Sequence, residues 1–328
     1  MFLTEPQVEL LTTTDFNEKL IEQAGCLCYN STPGKPEERI PKWIKSGHLS
    51  VIEHGRACLE FDDDTLQEHG YEVFNRHLYV TYRDTGDGYL NRIVSGNYRA
   101  WLELLQQWDD GDWLYRDIWM TLRAQAPNVF PALSATEDDQ DNESYSTVVT
   151  LADLKSFGSY GSIPHIALHA AATFKISCSR AVSHEMVRHR MVSYSQRSQR
   201  YVDESNSSYY LPPEMGITDP HSGLCLSTIG MQYQFAINKA WHYYNVLRKD
   251  GVAPQIARYV LPNACLTEII MTANLEEWHH IIKLRASRAA QPEMQVVAKK
   301  ILIDLLREFP EVFDDLKELL DVPVPRQA

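Results

Sequence analysis

A strand-like run, Ala170-Ala171-Ala172-Thr173-Phe174-Lys175-Ile176-Ser177, feeds a segment from Arg188 to Tyr201 that carries four arginines and no acid. The whole chain has a formal net charge of −13, so this segment is a positive island held at the end of a strand. Arginine offers a rigid fork of donors that stays charged at any working pH, and the interleaved serines and glutamines add neutral donors. Such an island suits phosphate. Ala181 to Met191 scans as helix, and at about 100° per residue Glu185, Arg188 and His189 share one face, with Arg190 roughly 200° from Arg188. Two arginines so placed cannot easily grip one group, which predicts two anionic ligands meeting along the helix.

The order Arg188-His189-Arg190, seven residues, then Ser198, followed by Gln199-Arg200-Tyr201, resembles the signature of the flavin-dependent thymidylate synthases. Three further segments resemble that family in the same order: Gly47 to His54, Arg258 to Asn263, and Met271 to Asn274 leading to Leu284-Arg285-Ala286-Ser287. The resemblance covers residues 1–61 and 169–310 and leaves 62–168 as an insertion. It implies one domain over 1–328 of α+β (α/β) class, a helix-wrapped sheet with an inserted hairpin and helices, assembled as a homotetramer with active sites shared between subunits. The implied reaction is reductive methylation of dUMP to dTMP, with 5,10-methylenetetrahydrofolate as carbon donor, NADPH as reductant and FAD as relay. FAD-site positions carried over by resemblance are His48, Ser50, Glu53, Arg188, His189, Arg190, Gln196, Asn274 and His280. The deoxyuridylate positions are Glu185, Arg188, Gln196, Ser198, Gln199, Arg200, Arg258 and Arg285. Arg285 is the catalytic candidate, because a guanidinium that stabilises negative charge on the uracil ring activates C5. No G-x-G-x-x-G occurs, so FAD needs a scaffold other than the usual dinucleotide loop.

Composition narrows the alternatives. With 44% hydrophobic and 23% charged residues, the chain reads as globular and not as disordered. The acidic balance argues against broad binding to nucleic acid or anionic membranes. It therefore opposes the rival reading, an arginine-rich nucleic-acid-binding protein derived from this scaffold without catalysis. No run of eighteen apolar residues exists and the first residues lack a signal-peptide pattern, which predicts a cytoplasmic protein. Six cysteines without C-x-x-C spacing read as reduced thiols. The acidic stretch Glu137 to Glu143 reads as a solvated loop and not a metal site, since no turn glycine follows.

Along the chain the pattern predicts a strand at Val8 to Leu11, a helix from Asp15 to Cys26 and a strand at Arg56 to Phe61. In the insertion, Tyr71 to Tyr82 and Tyr89 to Val94 form a hairpin across Asp84 to Gly88; helices follow from Asn97 to Gln107 and from Trp113 to Arg123. Further on come a helix from Ser227 to Asp250 stopped by Gly251, a short helix carrying Arg258, a strand from Glu268 to Ala273, a helix from Asn274 to Arg285, and a last helix opened by Pro292. Val94-Ser95-Gly96-Asn97-Tyr98-Arg99-Ala100-Trp101 echoes Met271-Thr272-Ala273-Asn274-Leu275-Glu276-Glu277-Trp278. Shared strand-to-helix capping explains the echo on one reading; a duplicated functional element explains it on the other.

Ser198 reads as a phosphate ligand and not a nucleophile, because no His or Asp in the motif is spaced to deprotonate it. Cys265 reads as a structural thiol. Two positions depart from the family pattern: Ala289 stands where many relatives carry histidine, and Cys26 where many carry arginine.

Overall fold

Two four-stranded antiparallel sheets organise the computed structural model, which describes residues 2–133, 144–157, 162–219 and 223–324. The first sheet runs in the order Gln7–Thr12, Ala171–Ser179, Leu266–Asn274, Ser193–Gln196. The second runs Tyr79–Asp84, Leu90–Asn97, Arg56–Asp62, Ser146–Val148. Helix and strand are thus mixed with antiparallel pairing in both sheets, an α+β arrangement.

The strand Ala171–Ser179 is buried along most of its length, consistent with a run of small and apolar residues broken by Lys175, which pairs with Glu268 of the neighbouring strand at 2.6 Å. Pro292–Glu308 packs near it through Met294, Val297, Ala298, Ile301, Leu302 and Leu305, an apolar stripe at helical spacing whose members are all buried in the core. Helix Leu275–Arg285 joins the same core through Trp278, whose Nε1 donates to the Ala172 carbonyl at 2.9 Å and whose ring meets Phe174 edge-on. Trp278→Phe removes that donor while keeping most of the apolar area; it should lower stability by about 1–2 kcal/mol in urea unfolding, with the fold retained.

The second sheet has a core of its own. Trp101, Leu104 and Leu105 of helix Tyr98–Leu105 meet Leu114, Ile118 and Leu122 of helix Trp113–Gln125, together with Ile21, Ile40 and Ile52 from the first part of the chain. Strand Arg56–Asp62 pairs with the inserted strand Leu90–Asn97 and not with Ala171–Ser179. The hairpin forms between Tyr79–Asp84 and Leu90–Asn97, while Tyr71 to Leu78 stays outside the strands. Gly251 stands in the left-handed region (φ +84°) just past helix Thr228–Lys249, where a side chain would be strained.

The arginine-rich helix differs most from expectation. It spans Arg180–Met186 only, so Arg188, His189 and Arg190 lie in the turns beyond it and the angular argument over 181–191 does not hold. The reason is competition for the last carbonyls. Arg285 Nη2 donates to Glu185 O at 3.0 Å, and the Tyr194 hydroxyl reaches Met186 O at 2.7 Å and His189 O at 2.8 Å. The Glu185 and Met186 carbonyls keep only three-residue turns, from Arg188 N at 3.4 Å and His189 N at 3.1 Å, and take these side-chain donors where a longer helix would place an amide four residues on.

Candidate functional site

Helix Arg180–Met186 starts where strand Ala171–Ser179 ends, with the Ser179 side chain accepting from Val182 N. Helix Leu275–Arg285 starts in the same way from the neighbouring strand, with Asn274 as its cap. Both helices leave adjacent strands, so Arg285 at the end of one meets Glu185 near the end of the other. Arg285 Nη1 donates to Glu185 Oε2 at 2.9 Å and Nε donates to His189 Nε2 at 3.1 Å. Because His189 accepts at Nε2, its proton sits on Nδ1, which faces Glu277 Oε1 at 3.7 Å. His280 flanks this network with its ring centroid 6.0 Å from that of His189. A guanidinium has five N–H donors, and three are used here, which leaves two without a partner among the described residues.

A second group of candidates lines a cavity of about 320 Å³ that holds Glu53 and Arg190. Burial pushes the Glu53 carboxyl up, countered by Arg99, whose Nη1 donates to it at 2.8 Å. Arg188 does not line this cavity and is exposed. Arg188 and Arg190 do part company, through the turn and not through helical phase.

The remaining candidates lie elsewhere. His48 Nδ1 is 3.4 Å from the Tyr29 hydroxyl, and Tyr29 packs against Tyr201 next to Arg200; burial holds the His48 imidazole below its ordinary range. Ser50 sits in the adjoining short helix Leu49–His54. Ser198 N donates to Cys28 O at 3.1 Å and its hydroxyl accepts from Arg200 N, a local turn with no base at the oxygen among the described residues. Gln199 is buried with its Nε2 unpartnered among the described residues, so it has donor capacity to spare. Two amides are engaged by the fold: Gln196 Nε2 donates to Ser183 Oγ at 2.8 Å, and Asn274 Nδ2 donates to Leu168 O at 3.1 Å. Arg258, in Arg258–Val260, lies near Arg180. One chain therefore brings Glu185, His189, Arg285 and His280 together, and separately Glu53 with Arg190, but does not bring all candidates to one place.

Cys265 is buried and its thiol is pushed up to about 12 by that burial, so it is no ready nucleophile. Five cysteines, including Cys26 and Cys28, are free thiols among the described residues. At Cys26 a guanidinium is present after all, delivered from the next helix. Arg39 Nη1 lies 2.7 Å from Cys26 Sγ and 2.9 Å from Glu22 Oε1. Ala289 and Arg288 are exposed. No cluster of metal ligands occurs among the described residues, and Glu137 to Glu143 lies outside them. No helix among the described residues is long and apolar enough to cross a membrane.

Sequence reading missed His54, Arg56 and Arg99. His54 is fully buried, with Nδ1 2.8 Å from Thr272 Oγ1 and Nε2 3.0 Å from Ser195 Oγ. Its neighbour Glu53 carried the motif, but nothing local marks a histidine whose partners lie more than a hundred residues away.

The fold and these sites define an α+β protein that sets an Arg–Glu–His network at the converging ends of two strand-capped helices, beside a cation-lined cavity. A family model described as thymidylate synthase complementing protein matches residues 146–311, about half of the chain. The chain belongs to that family. It is similar to the flavin-dependent thymidylate synthase of Mycolicibacterium gilvum, 39% identical over 160 residues, which is 45% of this chain and 63% of the relative. The enzymes of that name from Corynebacterium efficiens (36% over 166 residues, 47% of this chain and 66% of the relative) and Geobacter sulfurreducens (37% over 150 residues, 45% and 61%) are similar as well. The chain thus spans somewhat less than two thirds of the length of each.

Proposed function

We propose that the protein is an FAD-dependent thymidylate synthase that converts dUMP to dTMP with 5,10-methylenetetrahydrofolate as carbon donor and NADPH as reductant. The observation that carries this reading is the Arg285–Glu185–His189 network, built from the family signature and a segment about a hundred residues later. Glu185 and the imidazole of His189 fix the Arg285 guanidinium, and its two spare N–H groups can meet a uracil carbonyl. Charge withdrawn from C5 in the ground state is returned there when the ring oxygen becomes anionic, and a preorganised guanidinium favours that state. The carboxylate oxygen of Glu185 not engaged by Arg285 has no partner among the described residues and can accept from uracil N3–H. FAD, when bound, supplies the redox step. The chain's fit to its phosphates rests on Arg190 and on the half-buried Arg56, whose buried Nη2 has no hydrogen-bond partner among the described residues.

Gln199, Ser198, Arg200 and Arg258 carry the nucleotide phosphate in this reading, with His48 and Ser50 on the flavin. None of these groups is hydrogen-bonded to Arg285 among the described residues, and sites that form between subunits of a homotetramer would bring them to it. Helix Thr228–Lys249 supports it too. It buries only Gly230, Ile237 and Tyr244, while Ile229, Met231, Phe235 and Tyr243 are exposed. Tritium release from C5-labelled dUMP, with FAD, the folate and NADPH present, tests the reading. A purified protein that neither binds FAD nor releases tritium overturns it. Cys265→Ala should retain thymidylate formation, checked by complementation of a thymidine auxotroph, because its buried thiol has no part in the chemistry.

A further inference from the structure

The echo between Val94–Trp101 and Met271–Trp278 extends through both sheets. Strand Arg56–Asp62 leads into helix Asp63–Glu68, capped by the Asp62 side chain, then to strands Tyr79–Asp84 and Leu90–Asn97 and helix Tyr98–Leu105. Strand Ala171–Ser179 leads into helix Arg180–Met186, capped by Ser179, then to strands Ser193–Gln196 and Leu266–Asn274 and helix Leu275–Arg285. The registers agree: Arg56 faces Asn97 as Ala171 faces Asn274, and Tyr79 faces Ser95 as Ser193 faces Thr272.

Individual bonds repeat as well. Tyr98 N donates to Gly55 O at 2.9 Å and Leu275 N to Ala170 O at 3.1 Å. Asn97 and Asn274 each accept, at 2.9 Å, from the backbone N–H three residues on. Trp101 Nε1 donates to Ala57 O at 3.4 Å, as Trp278 Nε1 does to Ala172 O. The histidine before each first strand crosses into the other unit. His54 bonds Thr272 and Ser195, and His169 bonds Ser95 and Thr81 at 2.8 and 2.7 Å, which are the equivalent positions. Shared capping chemistry explains an Asn and a Trp; it does not explain a reciprocal histidine exchange. Residues 55–105 repeat the unit that begins at Ala170, and the two are packed as a pseudo-symmetric pair.

The 320 Å³ cavity lies where the units meet. Arg76 and Arg190, each three residues before its unit's equivalent strand, both line it, joined by Arg56 and Arg99. Four arginines face two carboxylates, Glu53 and Glu103, both already bonded to Arg99 at 2.8 Å. Arg56 Nη2 is buried and has no hydrogen-bond partner among the described residues. A guanidinium nitrogen buried without an acceptor is costly, and a bound anion removes the cost.

We propose that this cavity is a phosphate-binding site assembled between the two repeats of one chain, with Arg56 and Arg99 from the first and Arg190 from the second. The ligand is a diphosphate group; its identity as that of FAD rests on the function proposed above. The insertion is then part of the site and not an appendage.

Titration calorimetry of flavin-free full chain with inorganic diphosphate tests this. Wild type should bind saturably, and Arg56→Met and Arg99→Gln should each weaken binding by about tenfold or more, as expected for loss of a charge-assisted contact. Arg307→Gln, a remote exposed arginine, should bind as wild type. Without anion, Arg56→Met should melt no lower than wild type, since it removes a buried donor that has no partner among the described residues, and diphosphate should raise the melting temperature of wild type but not of this variant. No saturable binding by wild type, or unchanged binding in both cavity variants, overturns the proposal. A protein that binds diphosphate through Arg56 but takes up no FAD keeps the site and loses the enzyme reading. FAD bound equally by wild type and both variants does the reverse.

Discussion

Lowering the pH from 7 to 5 should reduce the stability of this protein by on the order of 4 kcal/mol, with the loss concentrated in two histidines. His54 and His169 are both buried, and burial holds each imidazole at about 3, against 6.5 for an ordinary histidine. Both are bonded at each ring nitrogen to hydroxyls. A hydroxyl can donate or accept, so a neutral imidazole is fully satisfied, whereas a protonated one is a buried charge without a counter-ion. The unfolded chain therefore takes up protons first. Stability is complete above pH 6.5 and is lost as pH falls from there towards 3, by about 1.4 kcal/mol per pH unit for each histidine. His48 and His165, also lowered by burial but more exposed, act in the same direction. Glu53 and Glu293 are raised by burial and oppose the effect as the carboxylate range is approached, which is why the comparison stops at pH 5. Urea midpoints at the two pH values measure the slope, and the double variant His54→Gln, His169→Gln should flatten it. A wild type as stable at pH 5 as at pH 7 would show that these imidazoles are not held neutral.

Arg285→Ala should leave flavin binding in place and reduce turnover by at least about a hundredfold, the scale of removing one preorganised donor from a developing oxyanion. The same change leaves the Glu185 carboxylate and His189 Nε2 without the donor that orients them. Arg285→Lys should not rescue turnover, because a single ammonium cannot reach Glu185 Oε2, Glu185 O and His189 together as the fork does. Arg190→Ala should do the opposite, weakening FAD retention more than deoxyuridylate binding. Flavin absorbance after gel filtration and tritium release, measured on all three variants, separate the roles. Normal turnover in Arg285→Ala, or equal losses of both ligands in Arg190→Ala, would sink the assignment while leaving family membership intact.

The elements that can be read from the sequence are those whose signals are local. Asn97 and Asn274 cap the helices they were expected to open, Gly251 follows the long helix, and the stripe from Met294 to Leu305 is buried. The hairpin around Gly86 and Gly88 forms for the same reason, a turn chemistry contained within a few residues. The end of the arginine-rich helix escaped that reading. Nothing between Ala181 and Met191 announces that Tyr194 and Arg285 will take the carbonyls of Glu185 and Met186.

By itself, then, the amino-acid order determined the chemistry on offer: a phosphate-suited run of arginines and amides in an acidic chain, and capped helices leaving apolar strands. Those properties follow from side-chain type and from hydrogen bonds closed within one turn or one hairpin. Tertiary structure alone decided which groups meet. Arg285 reaches Glu185 across 100 residues and His54 reaches Thr272 across 218. Arg56 and Arg190 come to line one cavity only because two repeated units pack against each other. Partners so distant are selected by which apolar faces bury together, and a local pattern holds no record of that choice.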